Sequence, residues 1–504
     1  MTNLNTDTQP ELIAALDLGS NSFHLIIARL ISGKLKPLHK VKHRVRLRAG
    51  LNKANELSYE AMLRAASSLE EIGATIKAHQ IKKCRVVATH TLREAVNRNA
   101  FLSLAEYSLG FPIEIISGSE EARLIYQGVV RSEEIKGSCL VVDIGGGSTE
   151  IVLGEGTDTL YRDSKNMGCI SFTERYFSKG VNQKSFKRAE VSALQKLEQC
   201  SHQFKTSDQT KIFATSGTAK ALFKAIGLVS ETTERLELSS LLKLQNLLCQ
   251  SEGISRLSLV GIDEARATVL PAGLAIMIAI MKSLNLTSLT FCSAALREGV
   301  LFEMEQQNQQ GDTRLRTRQS LQSRYHVDRR QAQQLAETCE LFWNQVSKNW
   351  SLTSSRLKTL LLEAAYLYEI GQQISINDFQ QHSAYILANS DLAGYNQDEQ
   401  LLLSTIVNNG RKKFRRRRLP DIRIVSHKML TRLIRLFRLA VTLNNSRQPL
   451  AINSFSLKVN GREMVLTIDK QFFLEQGVTM ADLNKESILM AKLGYNLSVQ
   501  VVKN

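Results

Sequence analysis

Four carboxylates and two turns of small residues have the types and spacing to do chemistry together. Asp17 closes an apolar run and is followed by Gly19, Ser20, Asn21 and Ser22; Asp143 closes another and is followed by Gly145, Gly146, Gly147, Ser148 and Thr149. Glycines permit positive φ and close approach of a ligand to bare backbone, so N–H groups of such turns can cradle phosphate oxygens. A carboxylate at the mouth of each turn could hold a hard cation that neutralises those oxygens. Glu150 follows the triple glycine. Glu121 lies in SGSEEARL, where Ser117 or Ser119 can cap a helix whose dipole favours an acid in its first turn. Arg93, in THTLRE, could clamp a phosphoryl group through two parallel hydrogen bonds. Taken singly, these are a tight Asx turn, a capped helix and a surface arginine; taken together they describe a cleft that handles anions.

The elements that must position these residues repeat. Strand character from Leu12 to about Arg29 is broken by DLGSNS, and Val141 to Leu153 has the same design around DIGGGS. Superposing Asp17 on Asp143, an offset of 126, also superposes Gly19 on Gly145 and Ser22 on Ser148, which points to an internal duplication. CRVVATHTLREAVN and PIEIISGSEEARLIYQGV each read as strand then helix, and FATSGTAKAL adds a further turn with Ser216, Gly217 and Thr218. This alternation predicts an α/β protein with mostly parallel sheets and ligand loops at their carboxyl ends. Beyond about Asp312 the texture becomes helical and rich in Gln and Leu, and FSLKVNGREMVLTID predicts a β-hairpin around Asn460-Gly461. The expected domains are 1–124, 125–310, 311–420 and 421–504.

A chain of 504 residues with 43% hydrophobic and 22% charged residues fits a soluble protein of several domains. Its seven cysteines form no CxxC pair and sit among apolar neighbours, which suits reduced thiols in a cytoplasmic protein rather than disulfides or zinc. The opening MTNLNTDTQPELIAALDLGS lacks a basic-then-apolar signal pattern, and the apolar stretch Val269 to Met281 is too short to span a membrane. The net charge of +17 is concentrated: Arg411 to Arg438 holds twelve Lys or Arg against the single acid Asp421. Lys40, Lys42, Arg44, Arg46 and Arg48 alternate, so on a strand all five would face one way. Lys428, Arg432, Arg435 and Arg438 recur at helical spacing after the Arg415 to Arg418 run. Both stripes predict a track for a polyanion. No helix-turn-helix, zinc finger or RNA-binding signature accompanies them, so no specific nucleic acid is expected.

DLGSNSFHLII, VVATHTLREAVN, IEIISGSEEARLIYQGV, VVDIGGGSTEIV, MGCISFTERYF, ATSGTAKAL and ALREGVLFEME, in this order, resemble the exopolyphosphatase and guanosine pentaphosphate phosphohydrolase family. QHSAYILANSDLAGYN extends the likeness into the helical region. The resemblance implies two actin-like, ribonuclease H-type domains, then an all-helical HD-like domain and a small α+β domain. It implies Mg²⁺-dependent hydrolysis of a terminal phosphoanhydride, with Glu121 as general base. By the same resemblance Glu150 is catalytic and, with Asp17 and Asp143, a metal ligand, and the glycine loop and the Ser216-Gly217-Thr218 turn bind phosphate. A homodimer is expected, as is a cytoplasmic location with the basic surface open to the inner face of the cell membrane. Two departures matter. Ala294 stands where related sequences carry glycine, and Tyr368-Glu369 replaces the His-Asp pair of metal-binding HD domains, so no second metal site is expected. The two basic tracks favour processive cleavage of inorganic polyphosphate; guanosine pentaphosphate is the alternative substrate, and a sugar kinase or a polyanion- or nucleic-acid-binding protein without catalysis are readings of other classes.

Overall fold

The computed structural model describes residues 12–31, 34–230, 233–250, 253–309, 313–412, 414, 416–448, 450 and 455–501. The chain forms two compact units, Met1–Gln310 and Gly311–Asn504.

The first unit contains two sheets of the same plan. β1 (Leu12–Leu18), β2 (Phe23–Ile31), β3 (Lys34–His43), β4 (Lys83–Ala88) and β5 (Ile113–Ile115) lie in the order β3-β2-β1-β4-β5. β6 (Ser138–Ile144), β7 (Thr149–Glu155), β8 (Asp158–Lys165), β9 (Lys211–Thr215), β10 (Arg235–Glu237) and β11 (Ser288–Phe291) lie in the order β10-β11-β9-β6-β7-β8. In both, the first three strands form an antiparallel meander and the first pairs in parallel with the strand that follows the crossover. The duplication is therefore present in the topology, but the sheets are mixed. The four-residue turns after Asp17 and Asp143 are hairpin loops, and a parallel connection would need a dozen or more residues.

The helices Gly118–Ser132 and Leu296–Gln309 pack between the sheets, in one apolar cluster with Ile13, Ala15 and Val87 from the first sheet and Val141, Val152 and Phe213 from the second. A division at 124/125 would cut the first of these helices. Their contact depends on glycine: a Cβ at Gly299 would stand 1.8 Å from Leu124 O, and one at Gly128 would stand 2.2 Å from Ala295 O. The same interface buries a network of ions. Arg123 chelates Glu120 at 2.8 Å and also donates to Glu303, while Arg85 on β4 donates to Glu303 and to Glu114. The helix Leu270–Ser283 is buried along almost its whole length, which explains its continuous apolar sequence. Among the described residues no helix is long and apolar enough to cross a membrane.

In the second unit, helices from Thr313 onward share one core with a three-stranded sheet of β12 (Phe455–Asn460), β13 (Glu463–Ile468) and β14 (Asn496–Val501). The expected hairpin joins β12 and β13, with Gly461 at φ 53° in its turn. The lesser boundary expected near 420 does not divide this core, because the helix His427–Asn444 contributes Leu433, Phe437 and Leu443 to it.

That helix corrects one sequence expectation. Arg435 and Arg438 are each only 2% exposed. Arg438 chelates Glu486 at 2.6 and 2.7 Å and donates to the carbonyls of Asn409 and Lys412. Arg435 lies over the rings of Tyr495 and Trp350, and Arg432 donates to Trp350 O. Helical spacing aligned these arginines as expected, but on a face covered by segments before and after the helix; of the four, only Lys428 is exposed. Arg415, in the adjoining run, lies outside the described residues.

Candidate active site

The duplicated hairpins fix the site's geometry. Across β1, β2 and β3 the register sets Asp17 beside His24 and His24 beside Lys42. Across β6, β7 and β8 it sets Asp143 beside Glu150 and Glu150 beside Ser164. Opposed residues share a face of a sheet, so each half presents a row of three side chains. One row is acid, imidazole and amine; the other is acid, acid and hydroxyl.

Between these rows lies a cleft of about 660 Å³, lined by Asp17, Glu121, Asp143 and Glu150 together with both hairpin loops. Gly19, Ser20, Asn21 and Ser22 line it from one side, and Gly145, Gly146, Gly147 and Ser148 from the other. The glycine loop needs glycine for closeness, not for positive φ, which none of its three glycines adopts. A Cβ at Gly146 would stand 3.2 Å from Ser20 Cβ, and one at Gly147 would stand 2.5 Å from His90 Nδ1. The carbonyls of Gly145 and Gly146 accept from the N–H groups of Cys169 and Ile170. This commits those two carbonyls to protein; the Gly145 N–H donates to Ser148 O, so the Gly146 and Gly147 amides are the ones that could meet an anion. The Ser216-Gly217-Thr218 turn closes the floor; Ser216 holds φ 89°, a strained value for a residue with a side chain, and its hydroxyl donates to Ile144 O.

Glu121 enters from the first turn of the Gly118–Ser132 helix, whose N-cap is Ser117. Arg93 does not line the cleft as a phosphate clamp. Its Nη1 donates to Glu121 Oε2 at 2.7 Å and to Ile116 O at 3.2 Å, so in this arrangement it orients Glu121 and balances its charge. Thr149 is likewise turned away, its hydroxyl committed to Met167 O.

The carboxylates strain against one another. Burial, and then the charge of Glu121, pushes the Asp17 carboxyl up to about 8, with Arg297 opposing. Burial and Glu121 push Asp143 up to about 7, with the neighbouring Ser216 hydroxyl opposing. Glu150 is raised well above the usual range by burial and by Glu121 and Asp143, although Ser164 donates to it at 2.7 Å. Asp17 Oδ1 is buried with no hydrogen-bond partner among the described residues. A site whose acids resist ionisation, with an oxygen left unsatisfied, fits a bound cation.

Basic residues complete the cleft. β3 ends at His43, so only Lys40 and Lys42 of the alternating series lie on the strand, yet Arg44 and Arg46 also line the cleft. Arg48 falls in the 3₁₀ turn Leu47–Gly50, with Nη1 at 3.4 Å from His90 Nδ1. His24, His90, Lys220, Arg266 and Arg297 line the cleft as well, and sequence reasoning assigned them nothing. The hairpin register could have given His24, and VVATHTLREAVN and ALREGVLFEME contain His90 and Arg297; Arg266 carries no local signal.

A model described as the Ppx/GppA phosphatase family matches residues 26–308, and one described as Ppx/GppA phosphatase, domain III, matches residues 313–487. The chain belongs to the Ppx/GppA phosphatase family. It is 36% identical over 489 residues to the guanosine-5'-triphosphate,3'-diphosphate pyrophosphatase of Vibrio parahaemolyticus serotype O3:K6, covering 97% of this chain and 98% of that protein. To the protein of the same name from Vibrio cholerae serotype O1 it is 35% identical over 490 residues, with the same coverage of 97% and 98%. Among solved structures, the Aquifex aeolicus Ppx/GppA family member superposes with a TM-score of 0.51 at 25% identity, covering 60% of this chain and 99% of that one. An exopolyphosphatase from Cytophaga hutchinsonii superposes at 0.53 with 23% identity, over 58% of this chain and 97% of that one, a likeness of fold. The Ppx/GppA architecture thus comprises the paired actin-like sheets followed by a largely helical region. In this Ppx/GppA chain, Ala294 directs its methyl into the apolar cluster between the sheets, and its carbonyl accepts from Thr215. The added carbon therefore does not obstruct the cleft.

Proposed function

We propose that the cleft hydrolyses the terminal 5′ phosphoanhydride of guanosine 5′-triphosphate,3′-diphosphate, releasing orthophosphate and leaving the tetraphosphate. The observation that carries this reading over polyphosphate cleavage is the placement of charge. Lys40, Lys42, Arg44, Arg46, Lys220, Arg266 and Arg297 cluster at the cleft, whereas Arg435 and Arg438 of the supposed second track are internal. A compact nucleotide needs a local cluster; a long chain would use a track. The names of the Vibrio relatives point the same way.

In this reading the amides of Gly146, Gly147 and Gly217 hold the terminal phosphoryl group, since those of Gly145 and Thr218 donate to Ser148 O and Ser216 Oγ. Glu121, oriented by Arg93, takes a proton from water as the water oxygen attacks phosphorus and the bond to the bridging oxygen breaks. Asp17, Asp143 and Glu150 would hold Mg²⁺, which when bound neutralises phosphate oxygens. Among the described residues no three acids, imidazoles or thiols converge to cage an ion unaided. Mg²⁺ is usually held through one or two carboxylates with water and phosphate completing its shell, so one or two of Asp17, Asp143 and Glu150 would contribute to it. We read the helical part of the second unit as an HD-like scaffold without metal chemistry, because Tyr368 is packed edge-on against Phe379 and Phe437.

The test is the initial rate of orthophosphate release by the wild type, with Mg²⁺, from guanosine pentaphosphate and from long-chain polyphosphate. A higher kcat/KM for the nucleotide supports the proposal; a higher value for polyphosphate overturns it in favour of exopolyphosphatase activity.

A further inference from the structure

We infer that a polar cavity among the helices of the second unit is a binding site for a nucleoside phosphate. It shares no residue with the cleft of the first unit, and the reaction proposed there does not require it.

The cavity measures about 920 Å³ and is walled by the helices Phe379–Asn389, Gln397–Asn408, His427–Asn444 and Gly477–Ala491 together with the segment 409–419. Small-molecule sites span roughly 300–1,000 Å³, so a whole nucleotide fits. The wall is set by buried protein contacts. Arg438, chelated by Glu486, donates to the carbonyls of Asn409 and Lys412 and so ties the segment between them to the His427–Asn444 helix.

The charges leave a seat for an anion. Glu486 is taken by Arg438, Asp482 pairs with Lys485 at 3.1 Å, and Lys412 pairs with Asp378. Arg411 and Arg418 also line the cavity, and neither forms an ion pair among the described residues. Arg411 lies over the Phe379 ring, 5.4 Å from its centroid. Two guanidinium groups in one cavity suit a phosphate, whose oxygens each can hold through paired hydrogen bonds.

Gln380 requires the opposite kind of group. It lines the cavity and is 2% exposed; its Nε2 donates to Asp378 Oδ1 at 3.2 Å, which leaves Oε1 buried with no hydrogen-bond partner among the described residues. A buried acceptor left unsatisfied is costly, and it needs a donor. An ionised phosphate or a polyphosphate chain offers none, whereas a nucleobase offers N–H groups. Leu419, which follows Arg418, supplies apolar surface for a base with Val441 and Leu489, and Asn408 and Asn445 add amides for its edge. A base at Gln380 with its phosphate at Arg411 and Arg418 meets both needs in one molecule.

The test is amide hydrogen exchange of the full chain with ADP, GDP, guanosine or orthophosphate at equal millimolar concentration, without Mg²⁺ so that no turnover intervenes. At least one of the two nucleotides should slow exchange in residues 408–412 well beyond what guanosine or orthophosphate achieves. In Gln380→Leu and in Arg418→Gln the concentration giving half of this protection should rise by at least about tenfold, while any protection of residues 143–149 stays as in the wild type. Arg418 is exposed, so Arg418→Gln tests the site even if Gln380→Leu fails to fold. Equal protection by orthophosphate would mean an adventitious ion only, and equal protection by guanosine would remove the phosphate from the site. Protection that is absent or confined to the first unit, or an unchanged half-protection concentration in Arg418→Gln, overturns the site as well.

Discussion

Replacing Glu303 by glutamine removes one charge from the buried network behind the active site. Glu303 accepts from Arg123 and Arg85, and all three are largely buried. Burial alone would raise its carboxyl, but Arg123 and Arg85 outweigh that and hold it well below the usual carboxylate range. Breaking a buried pair by removing one partner costs about 3–5 kcal/mol. Here each arginine keeps another acid, Glu114 for Arg85 and Glu120 for Arg123, and glutamine can still accept a hydrogen bond. The lower end, about 3 kcal/mol, is therefore expected. Because the folded carboxyl is depressed, this stabilisation is complete above the unfolded value and is lost as pH falls through the folded one. The gap between wild type and variant should thus shrink below about pH 4. Both tryptophans, Trp343 and Trp350, lie in the second unit, so their fluorescence does not report this site. Amide hydrogen exchange in the Gly118–Ser132 helix does. A loss of protection under about 0.5 kcal/mol at pH 7, or one that does not shrink on acidification, would refute the assignment of stability to these ion pairs.

The raised carboxyls of Asp17 and Asp143 give a pH effect of opposite sign. Burying acids that resist ionisation costs stability as pH rises from the unfolded value of about 4 through folded values near 7 and 8. If they bind a cation, Mg²⁺ should raise the melting temperature more at pH 8 than at pH 5.5, and Asp143→Asn should reduce that difference; calorimetry at both pH values checks it. Arg438→Ala should destabilise the second unit by about 3–5 kcal/mol, because it strands Glu486 and two carbonyls, as read by tryptophan fluorescence in urea. The same variant should leave the salt dependence of KM unchanged; a change there would return Arg438 to a substrate track.

What the sequence made legible was what repeats locally. The two DxG turns, the strands before them and the helix cap before Glu121 are short-range patterns, and they placed four acids in one cleft. What it hid depended on residues far away in the chain. The Lys428–Arg438 stripe has the spacing of a solvated helix face, yet Trp350, Tyr495 and Glu486 cover it from segments before and after the helix. Arg93 looked free because its partner, Glu121, follows 28 residues later on another element. Arg266 belongs to no motif and gains its place only when the second half folds over the Ser216–Thr218 turn. The mixed sheets were legible in principle, since a four-residue turn between two strands already demands an antiparallel pair.

The central claim is that Glu121 activates water against a phosphoanhydride held in this cleft. Its most direct test is Glu121→Gln with guanosine pentaphosphate and Mg²⁺, measuring orthophosphate release and equilibrium binding of the nucleotide in parallel. The account predicts a fall in kcat of about 10² to 10⁴-fold with binding retained. Turnover near the wild-type rate would contradict it.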